Sequence, residues 1–362
     1  MKNKLYTAIG LMSGTSMDGV DASLIRSNGN DQFTNVLDEY YDYDDDLYRR
    51  LIHLRNLILN NDDLNKHSQK LNELEKEITL FHSKIVNEIT LKYKGEIDFV
   101  GFHGQTIFHD PEKKISKQLG QGKLLSQLVN KKVIYDFRQE DIANKGQGAP
   151  LTPIFHKLIK NKYNLRTPLI ILNIGGIANL TSIDSNEKIQ SRDIGPGNCL
   201  IDQWIRLNSE KHYDHDGNIA KSGKINKEIL NIALKNFKDK NDKKSYDVKD
   251  FDLSFVKRLS LKDGAATLTE YTSEILYKYL KGTYKNIIIS GGGRKNKFLL
   301  NKIEKKINYK FKLIDDFKIN GDFIESQAFA YLAIRSYLNL PISFPETTGV
   351  NKPCTGGEII KY

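Results

Sequence analysis

Long apolar runs are absent from the sequence, and their absence argues against a membrane-spanning protein. No stretch approaches the roughly eighteen consecutive apolar residues that a transmembrane helix needs. The N-terminus passes from Met1–Lys4 directly into an apolar run that already carries Gly10 and Ser13, without the apolar core and cleavage site of a signal peptide. We therefore expect a soluble, cytoplasmic protein with no membrane partner.

Cysteine is almost absent as well, which removes two further kinds of structure. Cys199 and Cys354 are the only cysteines among the 362 residues, so neither a disulfide framework nor zinc-ligand spacing is predicted. His103 and His109 have no third ligand close by in the sequence, so hydrogen bonding is a better interpretation of them than metal binding.

Positive charge is abundant, with a formal net charge of +10, but it is not concentrated in one place. A basic face interleaved with aromatic side chains would indicate a nucleic-acid partner. Here the lysines are scattered among Asn, Asp and Glu, as in residues 235–249, where a solvated loop or helix is predicted. Because net charge alone indicates only non-specific association, we expect no nucleic-acid partner.

The length of the chain predicts two domains. A chain of 362 residues is too long for one average hydrophobic core, and its 39% hydrophobic content is sufficient for globular folding. We place the N-terminal domain at residues 1–134 together with about 340–362, and the C-terminal domain at residues 135–339.

A glycine-containing turn near the N-terminus is the motif around which the other motifs are organised. An apolar run from Tyr6 to Met12 meets a small polar stretch, Ser13–Gly19, and an alternating run follows it, which predicts a strand, a turn and a strand. Such a turn exposes N–H groups and hydroxyls without bulk that would keep a phosphate away. An ordinary Gly/Ser/Asp hairpin is the alternative, and partners elsewhere in the chain decide between the two.

Two later stretches supply such partners. The buried strand Leu169–Ile174 enters Gly175–Gly176 and continues as Ile177–Ile183, which repeats the strand–turn–strand pattern about one domain length later and predicts an internal duplication. The predicted strand 285–290 leads into Gly291–Gly293 and a helix, a pattern that lets a nucleotide or phosphate approach the backbone. This loop has neither the Walker pattern nor Gly-x-Gly-x-x-Gly.

Polar residues follow other predicted strands. The cluster His103–Thr106 is expected at the C-terminal end of the strand Ile97–Phe102, where open α/β sheets usually bind ligands. Asp193 precedes a glycine-rich loop and a helix N-terminus, whose amides favour anions. Asp193 is therefore either a helix cap or a base beside a phosphate.

The sequence also predicts two further helices. Pro150 and Pro153 are expected in the first turn of the helix after the Gly146–Pro150 loop. The stretch Ile324–Ile334 is expected to be an amphipathic helix with Glu325 in its first turn.

Taken together, these motifs resemble those of the 1,6-anhydro-N-acetylmuramic acid kinases, within the actin-like ATPase superfamily that includes the sugar kinases. The resemblance runs in order from residue 8 to about 357. Lys145 stands where a glycine is expected and Ile194 where a threonine is usual. The motifs that carry the resemblance are Met12–Asp21, His103–Thr106, Asp136–Arg138, Gly146–Pro150, Asn173–Asn179, Asp193–Asn198, Ser290–Gly293 and Glu325–Ala330.

The resemblance implies a fold and a reaction. The implied fold is α/β, with two actin-like (ribonuclease-H-like) domains, each a mixed five-stranded sheet with flanking helices, and a cleft between them. The implied reaction uses ATP and water to open the 1,6-anhydro ring of 1,6-anhydro-N-acetylmuramic acid and to phosphorylate O6. Its products are N-acetylmuramic acid 6-phosphate and ADP, in the recycling of peptidoglycan sugars.

The resemblance also assigns site residues. Asp193 is the implied base, while Arg138, Glu325, His103 and Asn179 are implied sugar contacts. Mg²⁺ is expected at Asp18 through water, because Mg²⁺ tends to keep part of its hydration shell. A small-molecule sugar is the expected partner, and a homodimer is a candidate assembly. The residues implied to bind ATP are Gly14, Thr15, Ser16, Met17, Asp18, Gly19, Val20 and Asp21 at the phosphates, with Gly291, Gly292 and Gly293 bordering the nucleotide.

Two alternatives stay open at this point. A different sugar kinase or an acyl-group kinase could use the same scaffold, because function depends on the site and not on the scaffold. A nucleotide-binding regulator or chaperone-like ATPase is the second alternative. Such a protein would not need the polar set formed by Asp136, Arg138, Asp193 and Glu325.

Overall fold

The structure, a computed structural model, describes residues 4–239, 245–282 and 286–362. These residues form two compact units. Unit 1 comprises Met1–Leu165 together with Phe323–Tyr362, and unit 2 comprises Arg166–Asp322.

The described residues contain twelve β-strands. They are β1 (Tyr6–Ser13), β2 (Gly19–Ser27), β3 (Phe33–Asp42), β4 (Phe99–Asp110), β5 (Ile115–Leu119), β6 (Lys132–Tyr135), β7 (Leu169–Ile174), β8 (Ile177–Ile183), β9 (Ile189–Pro196), β10 (Ile287–Ser290), β11 (Lys312–Leu313) and β12 (Glu358–Ile360).

Twelve α-helices accompany them in the described residues. They are α1 (Asp45–Leu57), α2 (Asn61–Lys66), α3 (Ser68–Lys92), α4 (Gly122–Val129), α5 (Gln139–Ala143), α6 (Pro153–Lys162), α7 (Cys199–Asn208), α8 (Asn218–Lys221), α9 (Lys227–Asn236), α10 (Leu261–Leu280), α11 (Lys297–Ile307) and α12 (Ile324–Tyr337).

Both units are built on the same five-strand arrangement. In unit 1 the strands β3-β2-β1 are antiparallel neighbours, and β4 and then β6 continue the sheet in parallel from β1. In unit 2 the strands β9-β8-β7 are antiparallel neighbours, and β10 and then β11 continue in parallel from β7. The repeated order confirms the α/β class with mixed sheets and supports the predicted duplication.

The sheet of unit 1 has two more strands than the five expected. Strand β5 pairs with the far end of β4 as an antiparallel hairpin, and β12 adds to the edge beside β6. Through β12, the C-terminal tail joins the sheet of unit 1. The sheet of unit 2 has the expected five.

The unit boundaries differ from those predicted, because residues 135–165 and helix α12 pack in unit 1. Phe155 of α6 contacts the rings of Phe33 and Tyr331 at centroid distances of 5.2 and 5.7 Å. Lys162, at the end of the same helix, donates from Nζ to the Phe33 carbonyl oxygen at 2.6 Å. Helix α12 itself packs against β1, β2 and β4.

Two glycines allow α12 to approach the sheet of unit 1 closely. Gly10 of β1 and Gly101 of β4 are register partners. A Cβ atom on Gly10 would lie 1.9 Å from the carbonyl oxygen of Ser326, and one on Gly101 would lie 2.4 Å from that of Phe329. The helix backbone therefore rests directly on the centre of the sheet.

Helix α12 is buried on almost every side, so the prediction of an amphipathic helix was wrong. Its polar side chains find partners inside unit 1 instead of solvent. The hydroxyls of Ser326 and Ser23 lie 2.7 Å apart, and Gln327 donates to both carboxylate oxygens of Asp38 at 3.1 Å. Arg335 donates to the carbonyl oxygen of Gly29 at 2.8 Å.

The positions of several helices can be compared with the sequence prediction. The predicted helical region before β4 contains α1, α2 and α3, whose apolar faces join the core of unit 1. Helix α6 begins at Pro153, so Pro150 lies before the helix and not in its first turn as predicted.

Lys285 of the predicted strand and part of the lysine-rich stretch 235–249 lie outside the described residues. No α-helix in the described ranges combines the length and apolar character needed to cross a membrane.

Candidate active site

The predicted N-terminal hairpin is formed by β1 and β2, and its turn consists of residues 14–18. Met17 has a left-handed backbone (φ 60°) and a buried side chain, which anchors the turn to the core of unit 1. Val20 is also buried, in β2. Among the predicted ATP-binding residues here, Met17 and Val20 can therefore offer only backbone groups to a ligand.

Polar side chains from three neighbouring elements fix the ends of this turn. The hydroxyl of Ser13 lies 2.9 Å from that of Tyr43 and 3.4 Å from Nε2 of His82. Gln105 donates from Nε2 to the carbonyl oxygen of Gly14 at 2.9 Å. Burial lowers the pKa of His82 to about 4, so this histidine is neutral at physiological pH.

The carboxylate of Asp18 lies on the exposed side of the turn. The hydroxyl of Ser16 donates to Oδ1 of Asp18 at 2.5 Å, and Asp18 is itself exposed. Burial, with added repulsion from Asp18, Asp42 and Asp21, raises the pKa of the nearby Tyr40. The described residues contain no cluster of three or more His, Cys, Asp or Glu side chains able to hold a metal ion.

The cluster His103–Thr106 lies inside β4 and not after it, because β4 continues to Asp110 and pairs there with β5. His103 is buried and donates from Nδ1 to the carbonyl oxygen of Gly104 at 2.7 Å. Because a carbonyl oxygen can only accept, Nδ1 carries the proton and Nε2 is free to accept.

Two of the predicted sugar contacts, His103 and Arg138, are brought together in unit 1. Arg138 donates from Nε and from one terminal nitrogen to Nε2 of His103, at 3.2 and 2.9 Å. It also donates to the carbonyl oxygen of Gly148 at 2.9 Å. Burial and the positive charge of Arg138 lower the pKa of His103 well below its usual value, so the pair is a neutral imidazole held by a cation.

The loop that follows Arg138 is organised by a buried carboxylate. Asp141 accepts from the amide of Gly148 at 2.6 Å, and its own carbonyl oxygen accepts from the amide of Gly146 at 2.8 Å. A Cβ atom on Gly146 would lie 2.1 Å from Oδ1 of Asp141. Burial raises the pKa of Asp141, although its hydrogen bonds oppose the shift. Lys145, the residue that departs from the family pattern, takes a left-handed backbone (φ 69°).

Glu325, the third predicted sugar contact in unit 1, occupies the first turn of α12 as expected. It is half-buried. Its neighbour Ser326 ties this end of the helix to Ser23 of β2.

In unit 2, the predicted base Asp193 lies within β9, which continues to Pro196, so Asp193 precedes α7 as predicted. Its register partner in β8 is Asn179, the fourth predicted sugar contact. Asn179 is in turn the register partner of Asn173 in β7, and Asn173 is the partner of Ser290 in β10. The four polar residues thus form one row across four adjacent strands, which we call the polar row.

Several members of the polar row form hydrogen bonds within the protein. Asp193 is 7% exposed, and its Oδ2 accepts from the amide of Tyr246 at 2.9 Å. The hydroxyl of Ser290 donates to Oδ1 of Asn173 at 3.4 Å. Oδ1 of Asn179 is buried and accepts no hydrogen bond from the described residues. A buried carbonyl oxygen without a donor is costly, and a bound ligand could supply one.

The second glycine turn, Gly175–Gly176, is formed as predicted between β7 and β8. The carbonyl oxygens of both glycines already accept hydrogen bonds within the protein. The amides of Gly197 and Cys199 donate to Gly176 at 2.9 and 3.1 Å, and the amide of Asn198 donates to Gly175 at 2.8 Å. These amides, at the start of α7, are therefore not available for the anion that the sequence predicted near Asp193.

The loop Gly291–Gly293 follows β10 as predicted, with a short 3₁₀ helix, Gly292–Lys295, before α11. Gly291 has φ 77°, and a Cβ atom there would lie 2.4 Å from Oδ1 of Asn173. A Cβ atom on Gly293 would lie 2.3 Å from Cγ2 of Ile174. Gly292 has no atom within 4 Å of a Cβ position, so it presents open backbone on the side away from the sheet.

Arg294, which the sequence reasoning missed, anchors this loop. It is 5% exposed, and it donates to Asp315 and Asp322 at 2.6 Å each and to the carbonyl oxygen of Gly291 at 3.2 Å. The two carboxylates come from a distant part of the sequence, so only the basic residue directly after three glycines could have signalled this role. Asn173 and Gln105 were missed in the same way, although both lie inside recognised motifs.

Comparison with curated proteins first defines a class. A protein of Pelagibacter ubique (strain HTCC1062) named anhydro-N-acetylmuramic acid kinase is 52% identical over 371 residues, with 99% of each chain covered. A protein of the same name from Zymomonas mobilis subsp. mobilis (strain ATCC 31821 / ZM4 / CP4) is 38% identical, over 97% of this chain and 99% of that one. The chain is thus a kinase with an alcohol group as acceptor.

A family model makes the assignment specific. The model described as anhydro-N-acetylmuramic acid kinase matches residues 6–362. The chain belongs to the anhydro-N-acetylmuramic acid kinase family. Among solved structures, gluconate kinase from Lactobacillus acidophilus is similar with a TM-score of 0.44 at 12% identity, over 92% of this chain and 90% of that one.

Proposed function

We propose that the chain phosphorylates O6 of 1,6-anhydro-N-acetylmuramic acid and opens its anhydro ring with water, using ATP. The products are N-acetylmuramic acid 6-phosphate and ADP, which would return a peptidoglycan sugar to metabolism. The observation that carries the proposal is the polar row of unit 2. It holds a buried carboxylate, Asp193, beside an amide oxygen of Asn179 that lacks a donor in the described residues.

In the proposed reaction, Asp193 accepts a proton from the attacking water. The water oxygen forms a bond to the anomeric carbon while the bond from that carbon to O6 breaks. The departing O6 forms a bond to the γ-phosphorus of ATP, and the bond from that phosphorus to the ADP oxygen breaks. Because one amide hydrogen bond already orients its Oδ2, Asp193 can keep a fixed direction toward the water.

Binding of ATP is assigned to the two glycine segments. The turn of residues 14–18 would contact the phosphates through N–H groups and through the hydroxyls of Thr15 and Ser16. In unit 2, Gly292 would offer open backbone to the nucleotide. The carboxylate of Asp18 would hold a Mg²⁺ ion through water, since it is exposed on the turn proposed to contact the phosphates. A bound Mg²⁺ would neutralise charge on the phosphates.

Sugar contacts are assigned to the remaining predicted residues. Arg138 and His103 form one rigid unit, because the guanidinium donates to the imidazole and to a loop carbonyl oxygen. The guanidinium of Arg138, held in place by His103, could therefore present its further N–H groups to the sugar without reorganising. Glu325, half-buried at the start of α12, and Asn179 of the polar row are the other proposed contacts.

A coupled assay of ADP release tests the function. The chain is incubated with ATP, Mg²⁺ and either 1,6-anhydro-N-acetylmuramic acid, free N-acetylmuramic acid, N-acetylglucosamine or acetate. We expect ADP release with the anhydro sugar, in equal amount to a sugar phosphate identified by mass spectrometry. In oxygen-18 water, an early quench should place the label on the anomeric carbon of the product and not on its phosphate.

Other outcomes would contradict the proposal. Faster release with free N-acetylmuramic acid, N-acetylglucosamine or acetate would indicate a different kinase on this scaffold. Slow ATP hydrolysis that no sugar changes would indicate a nucleotide-binding regulator. Label on the phosphate would show that water attacks ATP directly.

We propose a cytoplasmic location for the reaction, because the cytoplasm supplies the ATP that it consumes. The homodimer expected as a candidate assembly is a separate prediction. Sedimentation velocity of the purified chain tests it directly.

A further inference from the structure

Unit 1 contains a cavity of about 640 Å³ that the residues predicted to bind ATP do not line. Phe102, His103 and Gly104 of β4 contribute to its wall, as do residues 135–136 at the end of β6 and residues 120–124 at the start of α4. His103 is the only predicted site residue in the lining. The volume lies within the range of small-molecule sites, and the cavity lies where the parallel pairing of β4 and β6 ends, at Phe102 and Tyr135.

Two side-chain amides in the lining are held in fixed orientations. Gln118 donates from Nε2 to Oγ of Ser116 at 2.8 Å and to Oγ1 of Thr106 at 3.2 Å. Gln139 donates from Nε2 to the carbonyl oxygen of Ser116 at 2.6 Å. These bonds use amide hydrogens, so the Oε1 oxygens of Gln118 and Gln139 are oriented acceptors.

Two further polar side chains in the lining are unused. Within the described residues, neither the carboxylate of Asp136 nor the side-chain amide of Gln121 forms a hydrogen bond or an ion pair. Asp136 has a left-handed backbone (φ 56°), a conformation that a non-glycine residue adopts at some cost and that is common at functional sites. Burial raises the pKa of Asp136, and the charge of Glu358 adds to the rise.

The charges in the lining favour the uncharged part of a ligand, such as a sugar ring or an acetamido group, over an anionic group. Lys117 is paired with Glu75 at 2.6 Å, so these two charges compensate each other. The other lysine, Lys123, is exposed to solvent. The ring of Tyr135 adds a flat apolar surface, and its hydroxyl donates to Glu358 at 2.7 Å. What remains is one carboxylate, several amides and an aromatic ring.

From this arrangement, we propose that the cavity is a carbohydrate-binding subsite in which Asp136 and Gln121 form hydrogen bonds with hydroxyl or acetamido groups of the sugar. A carboxylate and planar amides match the paired donors and acceptors of a sugar ring, and an aromatic face suits its apolar side. The choice of the 1,6-anhydro sugar as the ligand to test rests on the proposed function, and the ionised carboxylate of that sugar would lie away from Asp136 and Gln121. The subsite would make Asp136 and Gln121 determinants of sugar affinity without a part in nucleotide binding.

Calorimetric titration of the whole chain tests the subsite. The variants are Asp136→Asn, which keeps a side chain compatible with the left-handed backbone, and Gln121→Ala. Asp45→Asn, an exposed position in the first turn of α1, is the matched control. Each protein is titrated with 1,6-anhydro-N-acetylmuramic acid and, separately, with a non-hydrolysable ATP analogue.

We expect sugar binding to weaken by about 10- to 100-fold in Asp136→Asn and by about 10-fold in Gln121→Ala. The affinity for the ATP analogue and the unfolding temperature should stay as in the unmodified chain. Unchanged sugar affinity in both variants would overturn the subsite. An equal loss of sugar and nucleotide affinity would also overturn it, because that result indicates a general structural role.

A failure of the proposed function would be recognised separately. If the unmodified chain neither binds the anhydro sugar nor releases ADP with it, the cavity is titrated with N-acetylmuramic acid and N-acetylglucosamine. Binding of either sugar that Asp136→Asn weakens would support the subsite and reject the proposed substrate. Binding of neither sugar would overturn both.

Discussion

At the residue scale, the polar row of unit 2 places several polar side chains on one face of the sheet. Residues that are register partners project from the same face of a sheet, so Asp193, Asn179 and Asn173 are neighbours although they come from three strands. This row of polar side chains provides fixed partners for a polar ligand. This alignment also explains why glycine turns follow directly after the row: bulky residues would cover it.

The first prediction concerns the proposed base. Asp193→Asn keeps the size of the side chain and can still accept from the amide of Tyr246, so the fold and ATP binding should persist. Turnover should fall by on the order of 10²–10⁴, as expected for the loss of a positioned base. The measurement is ADP release with the anhydro sugar, alongside calorimetric binding of an ATP analogue. Near-normal turnover in this variant would remove Asp193 from the mechanism.

At the element scale, α12 shows what the sequence could and could not predict. Its existence and the position of Glu325 follow from the helical pattern of its apolar residues. Its burial does not, because the partners of its polar residues, such as Ser23 and Asp38, lie some three hundred positions away in the chain. A polar residue on a helix indicates solvent exposure only when no distant partner is available.

Strand β4 and the region around Asp193 show that distant partners also decide which residues belong to a strand. The residues of His103–Thr106 were predicted to follow the end of the strand Ile97–Phe102, because the cluster is polar and glycine is a weak strand former. They extend the strand because β5 pairs with them. In the same way, Asp193 is held in β9 by its pairing with β8. The glycine hairpins, by contrast, were predictable, because a tight turn depends on local residues alone.

The second prediction concerns the contact between α12 and the sheet. In Gly101→Ala, the new methyl group would lie 2.4 Å from the carbonyl oxygen of Phe329, so the helix must move away. We expect the free energy of unfolding to fall by about 1–3 kcal/mol, as in other overpacked cores. Urea denaturation measures the change. Gly292→Ala, where a Cβ meets no atom within 4 Å, is the control for stability, and an equal loss in both variants would refute the packing argument.

At the scale of the whole molecule, buried histidines should make stability depend on pH. Burial lowers the pKa of both His82 and His156 to about 4, whereas the unfolded chain has the usual value near 6.5. Between about pH 6.5 and 4, the unfolded state therefore binds more protons than the folded state. Stability is fully present above that window and is lost as the pH falls through it.

The third prediction gives this effect a size. Lowering the pH from about 7 to about 5 should cost on the order of 2 kcal/mol for each of the two histidines. The lowered pKa of His103 adds to the loss, whereas the raised pKa of Asp141 acts on stability with the opposite sign. Urea denaturation at both pH values measures the sum, and His156→Gln should show a smaller dependence. The same pH dependence in this variant would exclude His156 as a contributor.

The repeated five-strand order has a consequence for binding stoichiometry. In unit 1 the turn after the first strand has five residues, and Gln105 takes up the carbonyl oxygen of Gly14. In unit 2 the equivalent turn has shrunk to Gly175 and Gly176, and the next loop folds back onto both carbonyl oxygens. The two turns therefore differ in length while the strands around them keep the same path. With the phosphate-binding role that we propose for the longer turn of unit 1, we expect one nucleotide per chain instead of two, which calorimetric titration with an ATP analogue measures.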